Sequence, residues 1–281
     1  MSAAPGLPDD ANDLRGMHFK QLLGRSWVLL LIGAGAIGAG ALGATLVGPA
    51  VGAAALVVAI GVGLGVVFKI ADDRAADDFF AIYAHQRGMT LIGDRGKLPP
   101  RTPLLRKGDD RYAERTLLGE LAPGTDGTLA LYTYEKESTD ADGNTKTDYY
   151  RFTVGLVEVP ECAGFVPELY CQRKSGLRVL DGLEDIFRRD KERIELESEA
   201  LLDRYEIFAG SGQDQIWLRR LFAPTFIVWL ADAAPDKFAF ELVEGTLCCY
   251  VKGHKESTAE LDAVARASAA VATRLREEAL E

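Results

Sequence analysis

Histidine and cysteine, which carry much of the chemistry of enzymes and metal sites, are scarce in this chain of 281 residues. The histidines, none of which lies in sequence beside a nucleophile and an orienting acid, are His18, His85 and His254. The cysteines, whose spacings fit neither a disulfide framework nor a zinc module, are Cys162, Cys171, Cys248 and Cys249. We therefore expect reduced thiols, no catalytic residue, no metal site and no cofactor.

Basic residues are also in the minority. The chain has 32 Lys and Arg against 42 Asp and Glu, a net charge of −10. The first 68 residues are neutral, so residues 69–281 carry the whole surplus, with 29 basic and 39 acidic side chains. A nucleic-acid surface needs clustered Lys and Arg to neutralise phosphates. The charge balance therefore predicts no nucleic-acid partner and an acidic, well-solvated domain.

Charge of either sign is missing from Trp27 to Phe68, a run of 42 residues. A bilayer core is crossed by about 20 apolar helical residues. Residues 27–47 and 50–68 each supply such a length, and Gly48-Pro49 separates them, with proline suited to the first turn of a second helix. A signal peptide is the alternative, but its apolar region is about 7–15 residues and no second span follows. We predict a transmembrane helical hairpin over residues 27–68.

The residues that flank this hairpin predict its orientation. A two-residue link places both ends on one side of the membrane, and the link itself carries no charge. Basic side chains collect at the two outer ends, at Arg15, Lys20 and Arg25 before the first helix and at Lys69, Arg74 and Arg87 after the second. By the positive-inside rule, both termini should be cytoplasmic, in a multi-pass protein of the cell (inner) membrane.

One motif within the apolar run favours another function. Residues 28–32 followed by Gly33, Gly35 and Gly38 match the strand and G-x-G-x-x-G of a dinucleotide-binding fold. That fold needs an acid about 20 residues further on, whereas the first acid after Gly38 is Asp72. A segment so rich in Gly and Ala also produces the pattern by composition. We keep an NAD-binding enzyme as the least favoured hypothesis.

Small residues recur every four positions in both predicted spans. They are Gly35, Ala39 and Gly43 in the first and Ala55, Ala59 and Gly63 in the second. In an antiparallel hairpin that turns at residues 48–49, facing positions sum to about 98, which pairs the two sets level by level. Small residues allow the close van der Waals contact on which helix association in lipid depends. The stripes therefore predict helix packing, either within one chain or between chains, although composition alone can also generate them.

Beyond the hairpin, the sequence predicts a helical stalk over 69–92 and a cytosolic α+β domain over 93–281. Residues 93–110, rich in proline, read as an extended connector. Strands are predicted at 128–137, 148–159, 193–198, 237–243 and 246–252, and helices at 213–230 (broken at Pro224) and 257–281. Residues 178–191 are predicted as a short charged helix or a turn. The fold class is thus an N-terminal transmembrane hairpin followed by antiparallel β-hairpins with packed helices and a long C-terminal helix.

The second hairpin has a definite predicted register. If Val243 pairs with Thr246 across Glu244-Gly245, Cys249 lies on the same face as Leu242 and Leu247, and Cys248 lies on the other. We expect Cys249 in the core and Cys248 more accessible.

In the C-terminal helix, Ser257 and Glu260 form a capping box, and an apolar stripe that includes Leu261 and Leu275 should dock on the sheet.

The order of elements resembles a family of uncharacterised bacterial membrane proteins. The residues that carry the resemblance are Gly119-Glu120 leading into 131–134, the run 200–208 and the run 221–226. The resemblance implies two adjacent transmembrane helices and a cytosolic domain of unknown function, without catalytic residues. We expect a membrane-anchored, non-enzymatic module whose domain binds an unknown protein partner or supports an assembly at the lipid bilayer. The alternative is a Gly/Ala-rich helix-hairpin homo-oligomer with a regulatory domain.

Overall fold

The computed structural model describes residues 10–93, 95–140, 143–174, 191–194, 196 and 198–280. Its helices are α1 (Ala11–Leu23), α2 (Ser26–Leu46), α3 (Pro49–Gln86), α4 (Pro103–Arg106), α5 (Glu199–Arg204), α6 (Gln215–Leu221), α7 (Pro224–Val228) and α8 (Thr258–Leu280). Its strands are β1 (Thr90–Ile92), β2 (Asp110–Ala122), β3 (Thr125–Thr139), β4 (Thr145–Glu158), β5 (Glu168–Arg173), β6 (Lys191–Arg193), β7 (Tyr205–Gly210), β8 (Ala239–Val243) and β9 (Thr246–Lys252). The fold is α+β, as predicted.

The described chain forms two compact units. The first runs to Tyr83 and includes Glu256–Thr258, and the second comprises Ala84–Lys255 and Ala259–Glu281. All of the short helix or turn predicted at 178–191 except Lys191 lies outside the described residues. The strand predicted at 193–198 overlaps the observed β6 only at Arg193, because β6 runs from Lys191 to Arg193; Ser198 caps α5 by accepting a hydrogen bond from the Leu201 amide.

In the first unit, α2 and α3 are long and apolar enough to cross a membrane, judged by length and composition. The chain reverses between them at Gly48, whose φ of 135° is a left-handed conformation that favours glycine, and Pro49 opens α3. Helix α3 continues to Gln86 without a break, so the second predicted span and most of the predicted stalk form one helix of 38 residues.

The sequence predicts residues 1–26 as a cytoplasmic N-terminal tail, and helix α1 within this segment is an addition to that prediction. Asp10 caps it by accepting a hydrogen bond from the Asn12 amide. The ring centroids of Phe19 and Phe68 lie 6.0 Å apart in an edge-to-face arrangement, and Arg15 forms an ion pair with Asp72. These contacts attach α1 to the start of the charged half of α3. A capping Asp with apolar residues at helical spacing was the signal available in the sequence.

The second unit is built on one nine-stranded sheet, in the order β1-β2-β3-β4-β9-β8-β5-β7-β6, with antiparallel pairing at every described junction. The strand predicted at 128–137 is confirmed as the central part of β3, and the strand predicted at 148–159 is confirmed in β4, which begins earlier, at Thr145, and ends at Glu158. Their β-branched and aromatic side chains suit a sheet that is covered by other elements. The break predicted at Pro224 is also confirmed, since α6 ends at Leu221 and α7 begins at Pro224.

The predicted register of the β8–β9 hairpin is confirmed. Val243 pairs with Thr246, Phe240 with Cys249 and Glu241 with Cys248, across a turn in which Glu244 and Gly245 have φ values of 47° and 79°. The expectation that Cys248 is accessible is wrong, because both thiols are fully buried. Both faces of the sheet are covered by packed elements. Side chains that alternate between the two faces are therefore buried on either one.

Helix α8 covers the face that carries Cys249. The predicted apolar stripe is buried along its length, and Ser268 lies so close to Gly155 of β4 that a Cβ atom at Gly155 would overlap the serine side chain. Trp217 Nε1 donates to the carbonyl of Glu278 at 3.1 Å, which attaches α6 to the same helix. The predicted docking of the C-terminal helix on the sheet is confirmed.

The opposite face is covered by the segment that we expected to be a bare connector. Within residues 93–110, Leu104 and Leu105 of α4 are fully buried and pack in one cluster with Tyr132, Phe152 and Cys248. Pro103 sets the first turn of α4, and the flanking prolines keep the chain extended across the sheet. This segment belongs to the core, which is why Cys248 has no access to solvent.

Candidate functional site

The residues predicted to pack the hairpin lie at different depths. Ala39 and Gly43 in α2 and Ala55, Ala59 and Gly63 in α3 are half-buried, whereas Gly35 is exposed and a Cβ there would meet open space. The proposed pairing of Gly35 with Gly63 is replaced in the structure, since Gly63 lies against Ile32. The ideal Cβ position of Gly63 is 3.6 Å from the Cβ atom of Ile32.

The closest approach between the two helices lies near the turn. A Cβ atom at Gly52 would stand 2.6 Å from the Cβ atom of Ala44 and 2.6 Å from the carbonyl oxygen of Gly40. Gly43 likewise faces the backbone of Gly52. Glycine is therefore required sterically at Gly52, a position outside the predicted stripes. Gly52 faces Gly40 and Ala44, and Gly63 faces Ile32, so facing positions sum to less than the predicted 98.

Farther from the turn, α2 and α3 border a groove of about 560 Å³ within the first unit. Its walls are apolar and come from α2 and α3, with a contribution from Leu22 of α1. The two charged residues that line it are Arg25, directly before α2, and Arg74, beyond the apolar part of α3. This groove was not predicted, because its shape depends on the angle between the helices.

The dinucleotide motif has no matching geometry in this structure. Gly33, Gly35 and Gly38 all lie inside α2, a single helix from Ser26 to Leu46. Dinucleotide binding requires these glycines in a turn between a strand and a helix, with the pyrophosphate at the helix N-terminus. The residues predicted as a strand, 28–32, are helical as well.

The second unit contains a buried polar cluster around Glu241. This carboxyl group is fully buried on β8, where one oxygen, Oε2, accepts a hydrogen bond from the Leu104 amide at 3.0 Å. The other oxygen, Oε1, has no hydrogen-bond partner of normal geometry within the described chain, and the same holds for the hydroxyl group of Tyr250. The Thr102 hydroxyl lies beside the carboxyl group and favours its ionised form. Cys248 is the cross-strand neighbour of Glu241. A lone acid within the apolar run 238–243 was the sequence signal for this cluster.

Burial dominates the electrostatics of the cluster. Removal from water raises the pKa of Glu241 to about 7 from its ordinary 4.5, although the Leu104 amide favours the carboxylate. Burial also raises the pKa of Cys248 well above its ordinary value, and the neighbouring Glu241 adds to the effect. Near neutral pH, Cys248 is therefore protonated and Glu241 is about half protonated. This cluster can hold a proton. Substrates cannot reach it, because the elements packed on the sheet bury Glu241 and Cys248 completely.

His18 and His254 make polar contacts within the fold. His18 Nε2 lies 2.9 Å from a carboxylate oxygen of Asp78, and His254 Nε2 lies 3.2 Å from Thr133 Oγ1 and 3.3 Å from the carbonyl of Tyr132. Burial lowers the pKa of His254, which keeps the ring neutral. Within the described residues, no group of three or more His, Cys, Asp or Glu side chains is arranged to hold a metal ion.

The second unit also has a surface groove of about 480 Å³ beside α6 and α7. It is lined by Phe222, Pro224, Ile227 and Val228, with Arg219 as its cation. Val228 is 59% exposed despite its apolar side chain. An apolar surface with a cation at its border is typical of a protein contact rather than of an enzyme site.

The chain matches no protein-family model, no curated protein and no solved structure. The resemblance to a family of bacterial membrane proteins therefore stays a prediction.

Proposed function

We propose that this chain is an integral membrane module, anchored by the α2–α3 hairpin, whose α+β domain binds a protein partner at the cytoplasmic surface. One observation supports the anchor above all. The most apolar windows of α2 and α3 have mean hydropathies of 1.9 and 2.5, yet only 17% and 11% of their residues are buried. A soluble protein buries its apolar core helices, so the exposed Leu, Ile and Val side chains need another apolar solvent, which lipid provides.

Two further features support the anchor and its orientation. Helix α2 alone has 21 residues and a second apolar helix follows at once, in contrast to the short single apolar region of a signal peptide. Arg25 and Lys69 lie at the ends of the apolar lengths, and the turn at residues 47–49 is uncharged. This distribution supports cytoplasmic termini in the inner membrane.

The test of the anchor combines extraction with protease protection. We expect the protein to stay in the membrane pellet during alkaline carbonate extraction. Tags placed at Met1 and at Glu281 should both resist protease added outside intact cells. Release by carbonate would overturn the anchor, and cleavage of either tag from outside would overturn the orientation.

The binding role is supported by the groove beside α6 and α7, because an exposed apolar surface on an otherwise charged domain favours a protein contact. The matched test is a pull-down with the full-length protein in detergent, comparing Val228→Glu with Lys237→Glu. Val228 lies in the groove and Lys237 is an exposed residue outside it. Partners should be lost with Val228→Glu and retained with Lys237→Glu. Equal recovery with both variants would exclude this groove as the contact.

A homo-oligomer is the second candidate, favoured by glycines on the outer surfaces of the hairpin. Gly38 in α2 and Gly61 and Gly65 in α3 are exposed with open space where a Cβ would stand. Such positions allow another helix to approach closely. Light scattering on the detergent-solubilised protein separates the two proposals, because a uniform higher oligomer would favour this one and a monomer would exclude it.

A further inference from the structure

The groove between α2 and α3 has apolar walls and two arginine side chains at one end. Its walls include Val28, Ile32 and Val66, and its deeper end is formed by the small residues Gly35, Ala59 and Gly63. Arg25 and Arg74 line the opposite end, and none of the described residues that line the groove is acidic. Trp27 lies beside Arg25 and is 56% exposed, as is typical of an aromatic anchor at the membrane interface.

The dimensions match a lipid chain that enters from the interface. The wall from Trp27 to Gly35 spans eight residues, or about 12 Å at 1.5 Å per residue. A hydrocarbon core is about 30 Å thick, so the groove starts near the interface and ends before the midplane. A helix segment of that length, with a diameter of about 10 Å, fills roughly 900 Å³. The groove volume of about 560 Å³ is smaller than the volume of such a helix, so the groove suits an occupant thinner than a helix.

The two arginines are available to an anion. Neither guanidinium makes an ion pair or a side-chain hydrogen bond to the part of the chain that the structure describes. Four acids of α3 lie near Arg74 in sequence: Asp72 is paired with Arg15, Asp78 is paired with His18, and Asp73 and Asp77 are not among the described residues that line the groove. A guanidinium presents a planar set of donors that matches phosphate oxygens. A second copy of the chain is a poor occupant, because two-fold pairing through this face would bring four guanidinium groups to one level.

We propose that this groove binds one anionic phospholipid, with its phosphate between Arg25 and Arg74 and an acyl chain along the walls of α2 and α3. The inference rests on the proposed membrane anchor, because only an embedded hairpin meets lipid. The bound lipid fills the groove and covers the apolar side chains that line it.

Native mass spectrometry of the detergent-solubilised full-length protein tests the site. The probes are phosphatidylglycerol, phosphatidylcholine with the same acyl chains, and inorganic phosphate. We expect one phosphatidylglycerol per chain, with phosphatidylcholine and inorganic phosphate both far weaker. Each basic side chain near anionic lipid contributes enough that Arg25→Gln with Arg74→Gln should weaken phosphatidylglycerol binding about 30-fold.

Matched variants distinguish binding in the groove from general effects of charge and of side-chain size. Gly35→Phe points a ring into the groove and should block binding, whereas Gly38→Phe, at an exposed position of the same helix outside the groove, should not. Lys69→Gln removes an exposed cation near the membrane end of α3 that does not line the groove, and it should leave binding unchanged.

Each contrary result overturns a stated part of the inference. Equal binding of both phospholipids, or of the double Arg variant and the wild type, would exclude recognition of the phosphate. Inorganic phosphate as tight as phosphatidylglycerol would exclude the acyl groove. Disulfide formation between chains by Gly35→Cys would place a second copy there instead. If the protein passes carbonate extraction and these tests fail, only the lipid site is lost, whereas release by carbonate overturns the anchor and the lipid site together.

Discussion

Glu241 is a carboxyl group held in the core of the sheet with one oxygen lacking a partner within the described chain. Its pKa is raised to about 7 in the folded state, above the ordinary 4.5. The folded protein therefore binds more protons than the unfolded one between these pH values, and this group's contribution to stability falls as the pH rises through that window. The displacement corresponds to about 3 kcal/mol at most.

We predict that Glu241→Gln removes this dependence. The amide oxygen can still accept from the Leu104 amide, and glutamine carries no proton that titrates. Thermal unfolding of the full-length protein should show the variant gaining stability relative to the wild type as the pH rises from about 4.5 to 7. A difference that is constant over this range would mean that Glu241 titrates normally.

The four cysteines carry a second prediction at the scale of the residue. All are buried, and burial raises the pKa of Cys162 to about 11 and those of the other three thiols further. The thiolate is the reactive form, so about a hundredfold fewer thiolates than usual are available even at Cys162. We predict no rapid labelling by a thiol reagent at pH 8 in the folded protein, and four labelled thiols in denaturant. Early labelling of Cys248 would show that the 93–110 segment does not cover it.

At the scale of the element, the contact between β4 and α8 depends on one missing side chain. Gly155→Ala would place a Cβ atom into Ser268 Oγ and 2.9 Å from Ser268 Cβ, so α8 would have to shift away from the sheet. Overpacking of this kind costs about 1–3 kcal/mol. Gly164→Ala is the matched control, since its Cβ would meet open space. The free energy of unfolding should fall for Gly155→Ala alone, and Ser268→Gly should restore it; no recovery would argue against this contact.

The membrane hairpin gives the second prediction at this scale. Ile32→Cys with Gly63→Cys should form a disulfide within one chain, because their Cβ separation of 3.6 Å lies in the normal range. Gly52→Val should reduce its yield by forcing α2 and α3 apart at the turn, whereas Gly61→Val, in open space, should not. Disulfides formed only between chains would favour the homo-oligomer. Disulfide formation between Ala39→Cys and Ala59→Cys, the pair predicted from the sequence, tests the same packing at a second position.

At the scale of the whole molecule, the sequence predicted those parts that depend on neighbours along the chain. The apolar lengths of α2 and α3, the β8–β9 register and the buried stripe of α8 all follow from local periodicity. The burial of Cys248 does not, because it depends on Leu104, which is far away in sequence. The insertion of β5 between β8 and β7 is likewise set by pairing between distant segments. The groove at Arg25 and Arg74 depends on a helix angle that periodicity does not encode.

The separation of the charged residues from the apolar run leads to a last prediction about solubility. Residues 69–281 contain none of the apolar run, carry the full net charge of −10 and include a sheet whose two faces are packed. A chain of these residues should therefore stay in solution without detergent and unfold in one cooperative transition, because its core needs no lipid. Circular dichroism should give a midpoint within a few degrees of that of the same domain in the full-length protein in detergent. Aggregation of this chain, with solubility recovered only on adding detergent, would mean that the membrane hairpin stabilises the domain as well as anchoring it.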